Sequence, residues 1–158
     1  MKQIFVALVF LLVATPAAAQ KPADGVYKVI YDCKTGDVRT FISILGSIPF
    51  TADRFSQQGL ELQAIVLMHS QCTRFALKDL EGTPFSDDKA LKERFSEITE
   101  RIKSLQTSYG VKFEQCQASL NNLKIDPAKV RDGYTLVPSA YDALILHQAK
   151  GYVYIPLF

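Results

Sequence analysis

The chain has 158 residues, a formal net charge of +2 and 48% hydrophobic residues. That length suits one domain, and the near-even charge balance gives no reason to expect a nucleic-acid or acidic partner. No segment beyond the first nineteen residues is apolar enough to span a bilayer, so the mature chain is expected to make no membrane contact.

Residues 1–19 carry the three parts of a cleavable secretory signal in order. Lys2 gives a positive start, Ile4 to Val13 form an uncharged apolar run, and Ala17-Ala18-Ala19 supply the small-residue cleavage pattern. Cleavage is expected after Ala19, leaving a single domain of residues 20–158 that is periplasmic or secreted.

The exported part alternates short β-rich runs with longer helical patterns. Val26 to Tyr31 read as a first strand, broken by Asp32 to Gly36. Val38, Phe41, Ile42 and Leu45 follow at helical spacing. Pro49 is expected to end or kink that helix, with Thr51 capping a short second piece. Leu60 to Met68 form a second strand, apolar enough at its end to be buried on both faces. Residues 71–78 suggest a short helix. Ser86 is then expected to cap a long helix whose stripe is Leu91, Phe95, Ile98, Ile102 and Leu105, and Gly110 ends it.

Val111 to Cys116 make the third strand, followed by a short helix at 117–123. Asp126-Pro127 is a cap with proline at the first helical position. Tyr134 to Val137 make the fourth strand. Ser139 caps a last helix with Tyr141, Leu144, Ile145 and Gln148 on one face, and Tyr152 to Ile155 form the fifth strand. Strict β-α alternation predicts a flavodoxin-like three-layer α/β/α fold with a five-stranded parallel sheet, order 2-1-3-4-5.

In that fold Cys33, Cys72, Cys116 and His69 all fall at the carboxyl edge of the sheet, where reactive groups gather. Cys116 ends a strand before a helix-forming stretch, a setting that favours a thiolate. Cys33, on the strand expected beside it, is the natural resolving partner, with Cys72 an accessory thiol. His69 can tune the thiolate. His147 falls beside an apolar helical stripe and reads as a helix-surface residue. A glycine-rich phosphate loop, a Cys-x-x-Cys pair and a nucleophile-elbow serine are all missing, which argues against flavin mononucleotide or a nucleoside triphosphate and against a thioredoxin-type redox pair; no cofactor and no resident metal are assigned.

Ile65-Val66-Leu67-Met68-His69, Gly110 to Cys116, Val137-Pro138-Ser139 and Gly151 to Ile155 together resemble the DsrE/DsrF-like sulfur-relay family. The resemblance spans roughly Val26 to Ile155. It implies a flavodoxin-like fold without a nucleotide, a homo-oligomer, and a cysteine that carries sulfane sulfur as a persulfide. By motif that cysteine is Cys116, with His69 as the histidine after strand two. The family often has His-Gly there; this chain has His69-Ser70.

The expected function is therefore a thiol-based sulfur carrier or transferase acting through Cys116, with a sulfur-donor or sulfur-acceptor protein as partner. One alternative is a non-catalytic oligomeric binding domain, in which Cys33 could be tied to Cys116 or Cys72. The other is a soft-metal site built from His69, Cys72, Cys33 and Cys116.

Overall fold

The computed structural model describes Pro22 and residues 24–157. The expected leader and its cleavage point lie outside the described residues. Five strands form one parallel sheet: β1 (Val26–Cys33), β2 (Glu61–Met68), β3 (Lys112–Cys116), β4 (Tyr134–Val137) and β5 (Val153–Leu157). Four α-helices connect them: α1 (Val38–Ser56), α2 (Lys89–Tyr109), α3 (Gln117–Asn122) and α4 (Ala140–Ala149). A 3-10 segment, Ser70–Ala76, follows β2.

The parallel sheet with helices on both faces is as expected. The strand order is β4-β3-β2-β1-β5 rather than 2-1-3-4-5. The chain steps from β1 through β2 and β3 to β4 in one direction, then crosses back to place β5 beside β1. Right-handed crossovers put successive helices on one face while the direction holds and on the other when it reverses. Thus α1, α2, α3 and the 3-10 segment share one face, where Phe41, Phe75, Ile98, Ile102 and Leu120 build the larger core. α4 alone covers the other, over Ile30, Ile65, Leu67 and Cys116.

α1 runs unbroken through Pro49. The buried stripe Val38, Phe41, Leu45 and Ile48 spans the helix up to the proline, so tertiary packing overrides the local break. Side-chain hydroxyls take up nearby carbonyls, Ser47 Oγ donating to Ile44 at 2.8 Å and Thr51 Oγ1 to Ser47 at 3.0 Å. α2 is capped by Asp88, which accepts from the Leu91 amide at 3.0 Å, not by Ser86. Gly110 closes it at φ 63°, a left-handed position that suits glycine. In α4 the inward stripe is Ala140, Ala143 and Leu144, whereas Tyr141 and Ile145 face outward.

Candidate functional site

The pleat sorts the carboxyl-edge residues onto two faces. On β1, Val29, Tyr31 and Cys33 point into the larger core, while Ile30 and Asp32 point to the α4 side. On β2, Leu67 and then His69 take the α4 side, and on β3 so do Glu114 and Cys116. Cys116, His69 and Asp32 therefore share one face, and Cys33 lies on the other.

Cys33 is bonded to Cys72, with Cα atoms 5.8 Å apart. The expectation that Cys33 resolves Cys116 is corrected. Strand β2 separates their strands, and their side chains leave opposite faces of the sheet. Cys116 is the free thiol. With both other sulfurs in a disulfide, the four-residue soft-metal set also dissolves. Among the described residues no group of three or more His, Cys, Asp or Glu could hold a metal ion.

His69 continues β2 just past the Met68–Gln115 pair, which sets it beside Cys116 on the neighbouring strand, about 4.8 Å away between backbones. Its ring is drawn to the other side. Nε2 lies 2.6 Å from Asp32 Oδ1 on β1, and Nδ1 lies 3.2 Å from the Ser70 hydroxyl. Asp32 is fully buried and also accepts from Tyr154 Oη at 2.8 Å, with Lys34 Nζ 3.3 Å away. Burial pushes the Asp32 carboxyl up, but the hydrogen bonds from His69 and Tyr154 and the charges of His69 and Lys34 outweigh it and hold the group below its ordinary value. The bond to Asp32, with burial and the Asp32 charge, raises the Tyr154 phenol.

Cys116 is 4% exposed and belongs to the buried cluster with Ile30, Ile65, Leu67, Ala140, Ala143 and Leu144. The following helix, α3, has six residues. A backbone–side-chain bond from the Ser70 amide to Ser119 Oγ, 3.0 Å, ties the turn after β2 to that helix. Two residues before Cys116, Glu114 pairs with His147 of α4 at 3.0 and 3.1 Å. The helix-surface assignment of His147 is thereby corrected: the residue turns inward onto the sheet and stacks edge-on against Tyr152.

Asp32, Ser70, Tyr154 and Glu114 did not figure among the expected site residues. The available signal was a charged residue at the end of an apolar strand, at Asp32 and again at Glu114. A surface cavity of about 540 Å³ lies elsewhere, lined by Lys78, Asp79, Glu81, Asp87 and Lys92 among others, and none of its lining residues is a thiol or an imidazole.

The model of the DsrE/DsrF-like family matches residues 47–157. The chain belongs to the DsrE/DsrF-like family. The matched stretch contains His69, Ser70, Cys72, Cys116 and Tyr154, while Asp32, Cys33 and Lys34 precede it. Among solved structures, the chain is similar to the protein of unknown function MTH1491 from Methanobacterium thermoautotrophicum, with 19% identity and a TM-score of 0.57 over 82% of this chain and 98% of that one. It is also similar to the ychN protein from E. coli, with 12% identity and a TM-score of 0.48 over 84% of this chain and 99% of that one. No curated protein matches. For this DsrE/DsrF-like chain, the likeness to MTH1491 speaks to fold alone.

Proposed function

We propose that this family member is an exported thiol-based sulfur carrier acting through Cys116. The observation that carries the reading is the division of the three cysteines: two are joined on one face, and the third stays free on the other, beside His69. A disulfide fits an oxidising compartment, in line with the secretory leader. It also removes the two thiols that would otherwise compete for the carried sulfur.

In the transfer, the Cys116 thiolate attacks the outer sulfur of a donor persulfide. A new bond forms between Cys116 Sγ and that sulfur, and the donor's S–S bond breaks. The donor leaves as a thiolate, with no net oxidation. A second thiolate, on an acceptor protein, then repeats the exchange in the opposite sense. Ala140 and Leu144, in the same buried cluster as Cys116, belong to α4, so opening of that helix's first turns would expose the cluster to the donor.

The burial of Cys116 among aliphatic side chains favours a second reading, an oligomeric binding domain in which the thiol is a packing residue. Alkylation of the folded protein separates the two. A carrier labels at Cys116 under native conditions near neutral pH. A packing thiol labels only after denaturation.

A further inference from the structure

Ser70 has a left-handed backbone, φ 51°, directly after β2. Side chains other than glycine pay for that conformation, and it persists where neighbours over-determine it. Here they do. The preceding amide, His69, donates to the Cys33 carbonyl at 3.1 Å, and the Ser70 amide donates to Ser119 Oγ. Two residues on, Cys72 is covalently held to Cys33. A glycine would satisfy the backbone without strain but would have no hydroxyl. The hydroxyl that serine adds lies on His69 Nδ1.

We infer that Ser70 is a positioning residue for His69: its strained turn sets a hydroxyl on Nδ1 while Asp32 takes Nε2, so that the imidazole is held in one fixed orientation, on the strand beside that of Cys116, with neither nitrogen free to take the thiol proton. With Asp32 ionised, the ring proton on Nε2 lies in the Asp32 bond. In the tautomer with the proton there, Nδ1 accepts from the Ser70 hydroxyl. Asp32 is itself braced by Tyr154 and Lys34, so the chain Tyr154–Asp32–His69–Ser70 crosses from β5 to the turn after β2. The consequence at Cys116 rests on the sulfur-carrier reading; the geometry at His69 does not.

Three variants of the full exported chain separate the hydroxyl from the strain. Ser70→Ala loses the hydroxyl and keeps the strain, Ser70→Gly loses both, and Ser70→Thr keeps the hydroxyl with a bulkier, more strained side chain. The readouts are the nitrogen resonances of His69, the alkylation rate of Cys116 across pH, and the melting temperature. Melting should rank glycine highest and threonine lowest. The His69 Nδ1 resonance of the neutral ring should instead pair wild type with threonine, and move downfield together in alanine and glycine. Cys116 alkylation should follow the same pairing and differ by roughly three- to tenfold, the factor one ordinary hydrogen bond is worth. Resonances unchanged in Ser70→Ala, or alkylation rates that rank with melting temperature, would overturn the inference. Failure of wild-type Cys116 to take up sulfur would strike the carrier reading and leave the His69 result standing.

Discussion

Asp32 is fully buried, with an imidazole, a phenol and an ammonium group around one carboxylate. A buried carboxylate with this many donors stays ionised, and removing the charge leaves the donors unmatched. Asp32→Asn should cost about 1–3 kcal/mol at neutral pH, measured by chemical denaturation. The pH dependence has a definite sign. Because the folded carboxyl titrates below its unfolded value of about 3.9, its contribution is complete above that pH and is lost as pH falls through the folded value. The Asn variant should therefore show a shallower loss of stability below about pH 4 than wild type. Equal acid slopes would contradict the network. At Asp32 the sequence offered only a charge at the end of an apolar run, and an aspartate before Cys33-Lys34-Thr35-Gly36 reads as turn punctuation. Its role depends on which face of the pleat the last strand residue takes. His69 and Cys116 were legible as edge residues because an apolar strand stops just before His69 and a β-rich run ends at Cys116.

At the level of elements, the disulfide and the Asp32–His69 bond rivet the same two loop starts, one on each face of the sheet. The bridge spans a sequence separation of 39, for which loop-closure entropy gives a stabilisation of about 4 kcal/mol. The paired replacement Cys33→Ala with Cys72→Ala should lower the denaturation midpoint accordingly and leave Cys116 the labelled thiol. The pairing could not be read beforehand, since alternation fixes that strands are parallel but not the direction in which each crossover steps. With β3 beside β2, not β1, Cys33 meets the segment after β2 instead of Cys116. α1 teaches the complementary lesson. Pro49 was a sound local signal for a break, yet the apolar stripe on α1 holds the helix together. Pro49→Ala should restore an amide that can donate within α1 and raise stability by about 1–2 kcal/mol, part of proline's interior cost being offset by its stiffening of the unfolded chain. A drop in stability would show that the proline ring packs in a way the helix needs.

Over the whole molecule, the two sheet faces are unequally covered, and this follows from the single reversal in the crossover sequence. On the thinner side, α4 exposes Tyr141, Ile145 and Leu146 and the edge strand β5 exposes Tyr154, while Val153 and Ile155 of β5 are exposed on the opposite face. Such apolar exposure at an open sheet edge is what a self-associating chain presents. Sedimentation at micromolar concentration should show a dimer or larger. Ile145→Glu with Leu146→Glu should shift it toward monomer without loss of fold. A wild-type monomer would remove this expectation. The same thin side carries Cys116, so an assembly formed through α4 would also bear on access to the thiol. The carrier account is tested most directly by intact-mass analysis of the folded protein after exposure to a persulfide donor. The account predicts a gain of one sulfur atom, located on the Cys116 peptide, released by reductant, and missing from Cys116→Ser. An unchanged mass, with Cys116 open to alkylation only after denaturation, would contradict it and leave Cys116 a core residue of a binding domain.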